Sequence, residues 1–225
     1  MKTKRRDFLG WLGGTSLFTV AATALTARPL RAVEREHPDA LDTPFDLTWT
    51  DRVTGKFRAV FDSPEISEGA GLFRSIVWCD EYKSVYGTAR SEMSPVLVVR
   101  HEAIELAMND EYWKRFKIGK EVKLKTPEGK KWAEVNPVGA PMPNAPPKFA
   151  RYNIVNFIED GGTVLACNLA FGDVIARFMK EDKLDGAAAK QRATEHLIPG
   201  VILQPSGVFA VLRAQEAGCH YIMAS

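Results

Sequence analysis

The sequence predicts an α/β fold in which a mostly parallel sheet is covered by helices on both faces. Three observations carry this. Short, continuous apolar runs such as Pro95-Val-Leu-Val-Val-Arg100 are of the kind that suits strands buried on both sides. Helix-length segments separate these runs, as parallel neighbours require. Turn residues such as Gly161-Gly162 punctuate the alternation.

The domain is expected over residues 45–225. Phe45, Leu47 and Trp49 alternate with polar residues and predict a strand, followed by a second run at Lys56–Phe61 and a possible hairpin through Asp51–Gly55. Leu72, Phe73, Ile76, Val77, Trp78, Tyr82 and Val85 fit a helix over about Gly71–Tyr86. The strand Pro95–Arg100 is followed by a predicted helix, Glu102–Asn109.

Residues 110–148 break the rhythm with Gly119, a lysine-rich stretch at Lys120–Lys131, and five prolines between Pro137 and Pro147. This insertion reads as an ordered lid or oligomer arm, or as a plain surface insertion. Tyr112, Trp113, Phe116 and Lys117 within it suit either closure over a ligand or a subunit interface. The alternation then resumes with helix Lys148–Glu159, strand Thr163–Cys167, and helices Phe171–Lys180 and Gly186–His196. Strand Val201–Gln204, helix Gly207–Ala217 and strand Cys219–Met223 complete it.

Ahead of the domain, Lys2, Lys4, Arg5 and Arg6 precede a charge-free run from Phe8 to Ala27. Lys4-Arg5-Arg6-Asp7-Phe8-Leu9 resembles a twin-arginine signal motif, so residues 1–32 are expected to be an export signal addressing the chain to the periplasm through the twin-arginine machinery. The run is long enough to span a bilayer, which makes an uncleaved anchor the rival reading. Gly10, Gly13, Gly14, Thr15, Ser16, Thr19 and Thr23 weaken that alternative. Cleavage is expected near Ala27 or Ala32, and residues 33–44, with Pro38 and Pro44, read as a tether.

The leader holds six of the 30 basic residues and one of the 28 acidic ones, leaving 24 basic against 27 acidic residues and a net charge of −3. The basic excess of the whole chain therefore gives no argument for nucleic acid as a partner. Its three cysteines, Cys79, Cys167 and Cys219, are an odd number for an oxidising compartment, and a Cys79–Cys219 disulfide is one possibility. No Cys-x-x-Cys, Walker loop or Gly-x-Gly-x-x-Gly is present, so neither metal nor cofactor is expected.

Several segments resemble the DsrE/DsrF-like family of sulfur-relay proteins: Val98-Val-Arg-His101-Glu-Ala-Ile, Gly162-Thr-Val-Leu-Ala-Cys167-Asn, Ile198-Pro-Gly-Val201, Pro205-Ser-Gly-Val208 and Ala214-Gln215-Glu-Ala-Gly218-Cys-His-Tyr221-Ile. The likeness covers about residues 56–225, apart from most of the insertion. It implies a three-layer α/β/α sandwich with a largely parallel five-stranded sheet and a homotrimer or hexamer. It also implies a persulfide-carrying cysteine at the end of the middle strand, the position of Cys167. The characterised relays are cytoplasmic; this chain departs from them in its leader and insertion.

Independently of that likeness, ligands of open α/β sheets bind beyond the carboxyl ends of the strands. His101 follows one strand, Cys167-Asn168 ends another, and Ser206-Gly207 leaves a third to start a helix. A Cys167 thiolate would be the nucleophile, with His101 or a helix N-terminus lowering its pKa. Arg100, Asn168, Ser206 and the Gly207 N–H are candidate anion binders. The alternatives are a buried small hydrophobe for Cys167, a structural histidine for His101 and a plain helix cap for Ser206. The functional readings are a periplasmic persulfide acceptor or carrier, or a non-catalytic oligomeric module holding a small anion or a partner protein.

Overall fold

The computed structural model describes residues 45–126, 129–141 and 150–225, all within the unit Asp42–Ser225. The predicted signal (1–32) and tether (33–44) lie outside the described residues, as does part of the proline-rich stretch. Among the described residues no helix is long and apolar enough to cross a membrane.

Five strands, β1 (Phe57–Ser63), β2 (Met93–Val99), β3 (Thr163–Cys167), β4 (Ile202–Gln204) and β5 (His220–Met223), form one sheet in the order β4-β3-β2-β1-β5. Every pairing is parallel. The helices are α1 (Ala70–Tyr86), α2 (Asp110–Phe116), α3 (Ile118–Glu121), α4 (Ile154–Glu159), α5 (Asn168–Asp182), α6 (Gly186–Glu195) and α7 (Gly207–Glu216). This is the α/β/α sandwich that the sequence predicts, with the sheet wholly parallel.

The two-residue period of the strands divides the core. Phe61, Leu97, Val99, Val164 and Ala166 face one layer with Leu72 and Ile76 of α1, Phe171 and Phe178 of α5, and Ala189 of α6. Val60, Val96, Val98 and Leu165 face the other, with Ala210, Val211 and Ala214 of α7. Handedness explains the unequal layers. The chain steps β1→β2→β3→β4 in one direction, which keeps its right-handed crossovers on one face. It then returns across the sheet to β5, which puts α7 on the other. The direction reverses between β1 and β5.

Three local expectations are corrected. The segment at Phe45–Trp49 is not a strand, and no hairpin follows; Thr48–Arg52 is a 3-10 helix. The Asp46 carboxylate accepts from the Thr48 N–H (2.8 Å) and hydroxyl (2.7 Å), which starts a turn. The turn seats Trp49, fully buried, with its indole N–H donating to Gln204 Oε1 at 3.0 Å. The segment after β2 is likewise a 3-10 helix, His101–Ala107.

The third correction concerns the insertion. Tyr112, Trp113 and Ile118 are completely buried and belong to the larger core, so the first part of the insertion is a structural layer. Tyr112 and Trp113 are packed in that core and present no surface. Asn109 caps α2 by accepting from the Tyr112 N–H, and the Trp113 indole donates to the Glu105 carbonyl at 2.7 Å. Buried Asn136 donates to the carbonyls of Leu106 and Met108 at 2.8 and 2.7 Å, fastening the later part of the insertion to the same core. Gly119 permits this fold-back: a Cβ there would stand 2.1 Å from the Ala133 carbonyl oxygen.

Candidate functional site at the strand ends

Parallel pairing brings the carboxyl ends of all five strands to one edge. Cys167 ends β3 and is the N-cap of the 15-residue α5; its Sγ accepts from the Ala170 N–H at 3.5 Å. The N–H groups of the first turn there have no intrahelical partners. The cysteine is 6% exposed. Asn168, partly exposed, is the first residue of α5.

Arg100 follows β2 and is engaged by Asp62 of β1. Its Nε donates to Asp62 Oδ1 at 2.7 Å and its Nη2 to Oδ2 at 2.9 Å, while the Tyr221 hydroxyl of β5 donates to Oδ2 at 3.0 Å. This cluster lies where the winding direction reverses, the usual ligand crevice of such sheets. Asp62 is nearly wholly buried, and its hydrogen bonds hold the Arg100 pKa above its ordinary value. Arg100 also interacts electrostatically with Cys167. Burial, and then Asp62, raise the Tyr221 pKa.

Ser206 is the N-cap of α7, its Oγ accepting from the Phe209 N–H at 3.1 Å. A Cβ on Gly207 would stand 2.5 Å from both Cβ and Cδ of Arg100, so the arginine stem lies directly against the start of this helix. The guanidinium expected to bind an anion is thus shared with Asp62, and Ser206 makes the helix cap that was the alternative for it.

His101 takes another direction. It has a left-handed φ of 52° and lines an open cleft of about 690 Å³ that includes none of Arg100, Cys167, Asn168, Ser206 or Gly207. The cleft lies between the segments after β1 and β2, α3 and α5. It carries six carboxylates, Glu65, Glu68, Glu102, Glu105, Glu121 and Asp173, against Arg177 and Lys123. Arg177 bridges Glu121 (2.5 and 2.6 Å) and Glu105 (3.0 Å). Its hydrogen bonds lower the Glu121 pKa, whereas burial raises that of Glu105 despite Arg177. Among the described residues, no three His, Cys, Asp or Glu gather closely enough to hold a metal ion.

All three cysteines are unpaired. Cys79 lies beside Ile76 and Phe157 on the α1 side, whereas Cys219 packs on the α7 side, so the sheet separates the possible disulfide partners. Burial pushes both of these thiols up to about 11.

Sequence reasoning missed Asp62, Glu105 and Arg177. Asp62 and Glu105 each interrupt an apolar run, in Val60-Phe61-Asp62 and Ile104-Glu105-Leu106, which is the signal that could have found them. No family model matches the chain, and no curated protein matches it.

Proposed function

We propose that this chain is a periplasmic sulfur-handling protein, exported by the twin-arginine route, in which Cys167 accepts and carries sulfur as a persulfide. The observation that carries the reading is the position of Cys167 Sγ at the N-terminus of α5, where it accepts from the Ala170 N–H and feels the charge of Arg100. In the transfer step the thiolate attacks the terminal sulfur of a persulfide or polysulfide donor. A Cys167 S–S bond forms and the donor S–S bond breaks; an organic persulfide leaves as its thiolate, and an inorganic polysulfide as a polysulfide one sulfur shorter or as hydrosulfide. The thiol is only slightly exposed, which favours a slender linear donor. Val208 and Leu212 of α7 and Met223 of edge strand β5 are each more than half exposed, which supports assembly with further copies of the chain.

The test is intact mass after treatment of the purified protein with inorganic polysulfide. A gain of one sulfur atom, removed by a reductant and lost in Cys167→Ser, supports the reading; an unchanged mass contradicts it. The second reading, a non-catalytic module that holds a small anion or a partner protein, is favoured only by the open cleft beside His101, because the pairing of Arg100 with Asp62 weakens the anion site.

A further inference from the structure

We propose that edge strand β5 pairs antiparallel with the β5 of a second copy of this chain, across a two-fold axis at Ile222, so that the two sheets run on as one. This names the contact behind the assembly with further copies proposed above; it rests on that part of the reading and not on Cys167.

The two edges of the sheet differ. β4 is three residues long, and the turn around Trp49 is fastened to it through Gln204. Short or covered edge strands keep a sheet from joining another. β5 carries neither Lys nor Pro, and its His220, Tyr221 and Met223 are exposed.

The backbone sets what can pair there. The Ala224 N–H donates to the Asp62 carbonyl at 2.8 Å. By strand alternation the main-chain groups of Ile222 and Ala224 therefore face β1, and those of Tyr221 and Met223 face outward. Among the described residues no hydrogen bond reaches these outward groups. A two-fold axis at Ile222 sets Tyr221 opposite Met223 of the second copy, and the two residues exchange both main-chain hydrogen bonds.

Side chains and charge agree with this register. Tyr221 and Met223 lie on the same face, the hydroxyl 3.8 Å from the Met223 sulfur, so each ring would meet a thioether across the axis. Arg58 donates to the Ala217 carbonyl at the start of β5, and the Glu65 N–H donates to Ser225 Oγ at its end. Antiparallel pairing sets the basic start of one strand beside the acidic end of the other, whereas parallel pairing would set like beside like.

The test is sedimentation of the purified full-length protein over a range of concentrations. A monomer–dimer equilibrium is expected, weakened tenfold or more by Met223→Pro, which removes an outward N–H that the chain's own sheet does not use. Oxidation of Ile222→Cys, whose Cα atoms would stand about 4.5 Å apart across the axis, should give a covalent dimer; Met223→Cys, two residues out of register, should not. This second readout stands even where Met223→Pro misfolds. A monomer at every concentration, association untouched by Met223→Pro, or equal cross-linking of the two cysteine variants would each overturn the proposal. Cys167→Ser is expected to dimerise normally and Met223→Pro to gain sulfur normally, so this inference and the persulfide reading fail separately.

Discussion

Arg100 and Asp62 are joined by two hydrogen bonds, 2.7 Å from Nε and 2.9 Å from Nη2, between the ends of the neighbouring strands β2 and β1. The Asp62 side chain is 4% exposed and that of Arg100 28%, so the carboxylate depends on the guanidinium far more than the reverse.

Removing the cation strands the buried carboxylate. Arg100→Leu is expected to cost about 3 kcal/mol, the lower end for breaking a buried pair because Arg100 retains some solvent, as read from urea unfolding. Asp62→Asn should cost less, since the amide keeps a hydrogen-bonding oxygen. It should also speed labelling of Cys167 in the folded protein, because Arg100 would no longer share its charge with a carboxylate. An unchanged rate would show that Arg100 does not reach the thiol electrostatically.

Gly207 is required by the arginine stem. A Cβ at 2.5 Å from Arg100 Cβ and Cδ must displace that side chain. Gly207→Ala is therefore expected to lose about 1–3 kcal/mol, typical of overpacking. Combined with Arg100→Gly, which removes both of those atoms, the same substitution should cost much less, a non-additivity that a double-mutant cycle measures.

The first part of the insertion, with Tyr112, Trp113 and Ile118, belongs to the core. Trp113→Ala should destabilise the protein by about 3–5 kcal/mol, as loss of a buried aromatic does. Were the segment a lid, unfolding midpoints would scarcely move.

His196 carries a pH dependence. Its ring stacks on Phe178 at 5.3 Å, Nδ1 lies 3.1 Å from Asn109 Oδ1, and burial lowers its pKa below the ordinary 6.5. On acidification the unfolded chain takes up the proton first. The stability that depends on neutral His196 is thus fully present above 6.5 and is lost as pH falls through the folded-state pKa. Urea midpoints across this window should fall with pH in the wild type and less steeply in His196→Phe.

Much of the fold was legible because its signals are local: the apolar run of β2, the cap at Ser206, and the end of β3 at Cys167, although the helix expected from Phe171 begins at Asn168. What escaped depends on distant partners. Trp49 looks like a strand residue until Gln204, far along the chain, accepts its indole proton. The proline-rich composition after residue 136 masked the helix containing Tyr112 and Trp113, whose burial rests on contacts with α5 and the segment after β2. His101 and Arg100 are adjacent in sequence but diverge, because the left-handed backbone at His101 turns the chain between the Asp62 pair and the acidic cleft.

The most direct test of the central claim compares alkylation rates of the three cysteines at neutral pH, in the folded and the urea-unfolded protein. Cys79 and Cys219, buried and pushed up to about 11, should react only on unfolding. Labelling of Cys167 in the folded chain faster than that of Cys79 and Cys219 is the result predicted for a reactive thiol at the strand edge, at the start of α5. Protection of Cys167 equal to that of the other two would contradict the persulfide reading.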